Sequence, residues 1–411
     1  MPITYGSVCS GIEAATEAWH PLGWRADWYA EIEPFPCAVL AYHYPETPNH
    51  GDMTRLAAMV LSGKIQAPDV LVGGTPCQAF SVAGMREGLA DPRGALTIKY
   101  VELFDAIDHV RTMRGEPEAV CTWENVPGVL SDKGNAFGCF LGALVGESEE
   151  LQPPGGKWKD AGCVYGPTRT VAWRVLDAQY FGLAQRRRRV FVVASARAGF
   201  DPLEVLFERE GLRRDTPPRR GEGQDIAGTL ASRTEGGGFP GTDEALAGYI
   251  QPTAFGGGRT GGSIDVAATL VAKGQKCDLE VESFVVHGTQ DPDVRINQAH
   301  TLGRNNGQEN AVCITGAIAH TLKGEGFDAS EDGTGRGQPM VNGDAGVRRL
   351  TPRECEWLQG FTGDHTLIPY RGKPADECPD GPRYKAIGNS KAVPVVRWIG
   401  QRLQQQLERL A

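Results

Sequence analysis

Ile3-Thr4-Tyr5-Gly6-Ser7-Val8-Cys9-Ser10-Gly11-Ile12 is an apolar run that breaks at a glycine. The alternation over Ile3 to Val8 predicts a short strand, and Cys9-Ser10-Gly11 predicts the turn that ends it. Ile12 to Trp19 has helical spacing, Ala26 to Ala30 predicts a second strand, and Glu31 stands directly after it. A strand, a glycine turn, a helix and a carboxylate twenty residues past the glycine form the pattern of a nucleotide-cofactor half-site. In that pattern the turn holds one end of a cofactor and the carboxylate accepts hydrogen bonds from ribose hydroxyls. A plain α/β turn gives the same signal, since Gly11 alone occupies a glycine position. Asp52, in Gly51-Asp52-Met53-Thr54, is read either as an acceptor for an adenine amino group or as the cap of the following helix.

Working outward, Val70-Leu71-Val72 predicts a buried strand followed by Gly73-Gly74-Thr75-Pro76-Cys77-Gln78-Ala79-Phe80-Ser81. The glycines permit a tight loop and Pro76 stiffens the residue before the thiol, so Cys77 is presented at a strand tip, where ligands and chemistry collect in open α/β sheets. Val120 to Trp123 is a further strand ending in Glu124-Asn125-Val126, which puts a second carboxylate at a tip. Apolar neighbours there would favour its neutral form, as an acid catalyst requires. Val171 to Leu176 and Val190 to Ala194 read as paired strands with Gln185-Arg186-Arg187-Arg188-Arg189 between them. Alternation along an extended segment turns Arg187 and Arg189 to one side and Arg186 and Arg188 to the other.

Composition sets bounds. A chain of 411 residues holds two domains, or one with an insertion. Neither an apolar run of transmembrane length nor a secretion signal stands out, so a soluble, intracellular protein is expected. The ten cysteines form no C-x-x-C pairs, and no metal site is expected. A net charge of −9 argues against a general polyanion binder and confines any nucleic-acid surface to local patches, such as Arg186 to Arg189 or Arg348 and Arg349.

Residues 201 to 345 hold 25 of the 54 glycines and mark a composition boundary. Four A-x-T-L units recur there, at Ala227 to Leu230, Ala267 to Leu270, Ala299 to Leu302 and Ala319 to Leu322, each followed by polar sequence and then a short apolar run. Spacings of 40, 32 and 20 residues exclude a regular solenoid and suggest four small β units with long loops. Such loops suit major-groove reading. A disordered linker is the competing reading.

The ordered set Cys9-Ser10-Gly11-Ile12-Glu13-Ala14, Ala30-Glu31-Ile32-Glu33, Gly51-Asp52-Met53-Thr54, Pro76-Cys77-Gln78, Asp91-Pro92-Arg93-Gly94-Ala95-Leu96, Glu124-Asn125-Val126, Gln185 to Val190, Arg349-Leu350-Thr351-Pro352-Arg353-Glu354 and Gly388-Asn389-Ser390 resembles the cytosine-5 DNA methyltransferases of bacteria and phages. The resemblance covers everything except the middle. It implies an α/β fold: a doubly wound, Rossmann-like S-adenosylmethionine-dependent domain with an inserted, mainly β target-recognition domain. Residues 1 to 200 would form the catalytic domain and 201 to 345 the insertion, with 346 to 375 joining the two and 376 to 411 returning to the catalytic domain. It further implies Cys77 as nucleophile, Glu124 as acid at the cytosine ring nitrogen, and Arg187 with Arg189 as clamp on the base. Cys9, Ser10, Gly11, Ile12, Glu31, Ile32, Asp52, Met53, Pro76, Leu96, Asn389 and Ser390 would line the S-adenosyl-L-methionine pocket. Gln78, Ser81, Gln185, Arg348 and Arg349 would meet double-stranded DNA, with the protein acting as a monomer. The first motif departs from the family, which usually has a phenylalanine and three glycines there. An RNA cytosine methyltransferase is the runner-up, disfavoured by the large insertion; a silent DNA-binding relative is disfavoured by the intact Cys77, Glu124, Arg187 and Arg189 set.

Overall fold

The computed structural model describes residues 2–75, 94–208 and 350–411, together with seven short strands between residues 254 and 349. The A-x-T-L units lie outside the described residues. Two compact units are present. One comprises Met1–Pro217, Thr321–Thr334 and Thr351–Ala411, and the other Pro218–His320 and Gly335–Leu350.

The first unit is built on seven strands: β1 (Thr4–Val8), β2 (Arg25–Ala30), β3 (Val70–Gly73), β4 (Val120–Asn125), β5 (Ala161–Tyr165), β6 (Thr170–Asp177) and β7 (Arg188–Ser195). Their order is β2-β1-β3-β4-β7-β6-β5. β2, β1, β3 and β4 are parallel, whereas β7, β6 and β5 join antiparallel. All four residues of β3 are buried, as expected of a parallel strand covered on both faces. The chain leaves β1 for β2 on one side and β3 pairs on the other, so the sheet has a topological switch point beside β1, where α/β sheets bind their ligands.

Alternation along the strands divides the core. Leu71, Cys121, Trp123, Val190, Val192 and Ala194 face a cluster with helices α3 (Leu56–Leu61), α4 (Gly94–Met113) and α5 (Ala136–Val145), represented by Leu56, Tyr100, Phe104 and Phe140. Tyr5 turns the other way and meets Trp19 of α1 (Ala14–Trp19) edge to face at 5.0 Å. Gly6 is required opposite Trp28 of β2, because a Cβ at Gly6 would stand 2.2 Å from that indole. Between β2 and α3 lies helix α2 (Pro34–His43).

Helix α6 (Pro202–Leu206) belongs to this unit, which therefore runs past the expected boundary at residue 200. The reason is local: Arg402 donates to the carbonyls of Val205 and Phe207, and Arg174 to that of Leu206. After α7 (Pro352–Gln359) and α8 (Asp380–Asn389), the C-terminal helix α9 (Val393–Arg409) buries Val393, Val396, Ile399, Leu403 and Leu407. It packs on α1, where the Trp19 indole donates to the Val396 carbonyl at 2.9 Å. Thus the end of the chain completes the half-site begun by β1.

Among its described residues the second unit contains three small antiparallel sheets. Strands β8 (Ala254–Gly256), β9 (Ser263–Ile264) and β10 (Val281–Glu282) form one, β11 (Val285–His287) pairs β12 (Asn310–Val312), and β13 (Met340–Gly343) pairs β14 (Gly346–Arg349). Three of the apolar runs that follow the A-x-T-L units, at 284–286, 311–313 and 340–341, overlap these strands. No helix among the described residues is long and apolar enough to cross a membrane.

Candidate active site

Ala30, Val8, Gly73 and Trp123 pair in one row across β2, β1, β3 and β4. The residues that follow them are Glu31, Cys9, Gly74 and Glu124, so four separate stretches of sequence meet along one sheet edge. At the roughly 4.8 Å spacing of strands, Glu31 and Glu124 stand about 14 Å apart. Because β7 runs antiparallel to β4, its first residues return to the same edge.

On the half-site end, Glu31 is only 9% exposed. Its carboxylate accepts from the backbone N–H of Gly11 at 2.7 Å and from those of Ile32 and Glu33 at 2.8 Å. Cross-linking the turn after β1 to the tip of β2 in this way fixes both before any ligand arrives. Ser10 is spent on structure, donating to the Ser7 carbonyl and accepting from the Ala30 N–H. Cys9 adopts a left-handed backbone with φ 48° and rests its Sγ 3.6 Å from Met53 Sδ. Burial pushes the Cys9 thiol up to about 12, which keeps it protonated. Ile12 is buried and Ile32 exposed. Asp52 accepts from the Thr54 N–H and caps the short 3-10 turn Met53–Arg55; that bond lowers its carboxyl below the usual range. The capping alternative is therefore realised in this arrangement.

At the other end, Glu124 is held by the close approach of Gly74, where a Cβ would stand 2.9 Å from the Glu124 carbonyl oxygen. The apolar surroundings expected of this carboxylate are not found: Arg189 Nε lies 3.3 Å from Glu124 Oε1. Thr75 is pinned from three directions. Its hydroxyl meets that of Thr97 at 2.6 Å and accepts from the Trp123 indole, while its carbonyl accepts from the Asn125 amide at 2.9 Å. Pro76, Cys77, Gln78 and Ser81 lie outside the described residues. Leu96, near the start of α4, packs partly buried against the core.

Along Gln185 to Arg189 the expected alternation is observed, with Gln185 and Arg187 buried and Arg186 and Arg188 exposed. Arg188 pairs with Asp160. Arg187 donates to the carbonyls of Gly388 and Ser390 at 3.0 and 2.6 Å, so its guanidinium braces the C-terminal motif. Gln185, expected at DNA, is instead wholly buried, because it shares the inward parity of Arg187. Asn389 is exposed at the end of α8 and Ser390 is buried. Arg348 and Arg349 lie on β14, opposite Val341 and Met340.

The family profile described as C-5 cytosine-specific DNA methylase matches residues 3–405. The chain belongs to that family. A protein of Escherichia phage P1 named DNA N-6-adenine-methyltransferase is 44% identical over 98% of this chain, which spans 61% of that relative's length. The type II methyltransferase M.AquIA of Picosynechococcus is 32% identical over 46% of this chain and 70% of its own length. Among solved structures, an Entamoeba histolytica methyltransferase superposes with a TM-score of 0.52 at 12% identity, and S. pombe Dnmt2 with 0.51 at 15%, each over 99% of both chains. These likenesses show the fold alone, a mixed seven-stranded α/β sheet.

S-adenosylmethionine is the cofactor that goes with the C-5 cytosine-specific DNA methylase family. The residues present fit it. Gly11, at φ +59°, has no atom within 4 Å of where a Cβ would point, leaving open space beside the Glu31 carboxylate for a sugar edge. Ile32, 71% exposed, offers an apolar surface of the kind a purine ring covers. Among the described residues, no group of three or more His, Cys, Asp or Glu side chains is arranged to hold a metal ion. Three site residues escaped the sequence reading: Thr75, Asn125 and Lys391. Asn125 stood inside a quoted motif, and Lys391 is a charge immediately before the apolar run Ala392-Val393-Pro394-Val395.

Proposed function

We propose that this protein methylates carbon 5 of a cytosine in duplex DNA, acting as a monomer and drawing the methyl group from S-adenosylmethionine. The observation that carries the reading is the meeting, on one sheet edge, of the Glu31 half-site with the Glu124–Arg189 pair beside the strand tip that leads into Pro76-Cys77.

The bound cofactor supplies an electrophilic methyl group. Carbon 5 of cytosine is too poor a nucleophile to take it unaided, so the Cys77 thiolate adds at carbon 6 and raises electron density on the ring. Glu124 gives a proton to the ring nitrogen, which relieves the charge that addition creates. After transfer, loss of the carbon 5 proton expels the thiolate and restores the ring. Arg189, held against Glu124, keeps the carboxylate oriented toward the base. Carbon 6 is inaccessible in a stacked duplex, so the cytosine is flipped out, at a cost of roughly a few kcal/mol. The insertion past the first unit's boundary, residues 218 to 345, is assigned to target recognition, since the remaining motifs are occupied with cofactor and chemistry.

The phage relative's name raises adenine N6 as a second product. An exocyclic amine needs no covalent activation, whereas this chain carries a cysteine loop and a strand-tip acid suited to it. Two measurements test the assignment. Nucleoside mass spectrometry of methylated DNA is expected to give 5-methylcytosine, and DNA carrying 5-fluorocytosine is expected to trap wild-type protein but not Cys77→Ser. Recovery of N6-methyladenine alone, or full activity of Cys77→Ser, overturns the reading.

A further inference from the structure

Lys391 follows Ser390 and lies between the two halves of the site. It is 9% exposed, yet its ammonium makes no hydrogen bond or ion pair with any described residue. Its Cε stands 3.7 Å from the point where a Gly74 Cβ would project, and Glu124 Oε2 lies 3.4 Å from the same point. Toward the half-site its charge acts on Cys9, whose thiol it lowers, and on Glu13, whose carboxyl it lowers against the effect of burial. Neither neighbour takes the ammonium. Glu13 is satisfied by Ser7 Oγ, Thr16 Oγ1 and the Thr16 N–H, and the Cys9 thiol is neutral. Glu124 is paired with Arg189.

A largely buried lysine whose ammonium has no partner among the described residues marks a place where an anion can be received. Of the charges on S-adenosylmethionine, two are positive, the sulfonium and the amino group, and one is negative, the α-carboxylate. Glu31, Gly11 and Ile32 occupy the end of the row suited to ribose and purine, and the reacting methyl must point toward Glu124. The amino-acid tail is therefore left for the region between β1 and β3 that Lys391 overlooks. We infer that the Lys391 ammonium binds the α-carboxylate of the cofactor and so sets the position of its methionine end. This rests on the cofactor assignment above. It places the only unpaired cation described in the pocket on the only anion the cofactor has.

The test is calorimetric binding to the full-length protein without DNA, comparing S-adenosylmethionine, S-adenosylhomocysteine and 5′-methylthioadenosine, which lacks the amino-acid tail. Lys391→Met keeps the unbranched stem and removes the charge. It is expected to weaken both carboxylate-bearing ligands about tenfold or more, which corresponds to about 1.4 kcal/mol or more, and to leave methylthioadenosine affinity unchanged; Lys391→Arg is expected to recover part of the loss. Equal weakening of all three ligands would mean a structural role and overturn the inference. So would unchanged affinities, or tighter S-adenosylmethionine with weaker S-adenosylhomocysteine, since the latter would put the ammonium at the sulfonium. Failure of the wild-type protein to bind any of the three would instead overturn the cofactor assignment.

Discussion

His365 donates from Nε2 to the carbonyl oxygen of Ile12 at 2.9 Å, joining a residue late in the chain to the turn of the cofactor half-site. A carbonyl only accepts, so this nitrogen carries the proton. The ring lies parallel to that of His43 at 4.4 Å, and His43 in turn reaches the His365 carbonyl at 2.7 Å. Glu17 Oε1 stands 4.0 Å from Nδ1, and Phe361 closes another side at 4.7 Å.

Burial, aided by the charge of His43, holds His365 below its ordinary value of 6.5, against the opposing pull of the Ile12 carbonyl, Glu17 and Glu356. The folded state then binds the proton less readily than the unfolded chain. Stability is accordingly unaffected above about pH 6.5 and falls as the pH drops from there toward the lower folded value. Thermal melts between pH 5 and 8 should show this fall for the wild type and a flatter profile for His365→Gln. His365→Leu should cost about 1–3 kcal/mol at pH 7.5, because it strands the buried Ile12 carbonyl.

Arg187 braces the carbonyls of Gly388 and Ser390 across some 200 residues of sequence. Replacing it with Met should destabilise the protein by about 1.5–3 kcal/mol, and should weaken cofactor binding as well because Ser390 and Lys391 lose their support. Arg188→Met, at an exposed pair with Asp160, should change stability by under about 1 kcal/mol. Chemical denaturation of the two variants side by side checks the contrast.

Glu124→Gln removes a proton donor while keeping the shape beside Gly74. Turnover should drop about 10²–10⁴-fold, with cofactor affinity retained, as read by single-turnover methylation and by calorimetry. Loss of cofactor binding would place Glu124 in the pocket wall instead.

Exchanging residues 218 to 345, the part of the insertion past the first unit's boundary, for the matching segment of a relative with another target should move the methylated cytosine while the chemistry survives. Bisulfite sequencing of DNA from expressing cells reads the outcome. Loop substitutions within the segment should relax single positions by about 1–3 kcal/mol each, and a chimera that keeps the original site would remove the segment from target choice.

The places of β1 to β4 along the chain and the identity of the strand-tip residues were legible because both depend on local chemistry. A buried run such as Val70 to Val72, a glycine turn and an acid at the next tip need only neighbours in sequence to be recognised, and β1, β2, β3 and β4 form where that pattern places them. The arginine alternation was legible for the same reason. What each inward side chain meets was decided by register between distant strands. Arg189 faces Glu124 because β7 pairs antiparallel with β4, and that pairing replaced the apolar surroundings expected of the carboxylate with a guanidinium. Gln185 went to the interior rather than to a DNA-facing surface by the same parity.

The resemblance implied that residues 376–411 return to the catalytic domain, but only the tertiary structure supplies the contacts that hold residues 360–411 against the half-site at the start of the chain. Trp19 holds α9, His365 holds Ile12 and Arg187 holds Ser390, none of which local spacing encodes. Sequence by itself determined which chemistry-bearing residues end the strands, since periodicity and turn residues act over a few positions. Only the folded chain decided which charges are neutralised and which, like Lys391, are largely enclosed with no partner among the described residues, because burial and charge pairing are set by groups far apart in sequence.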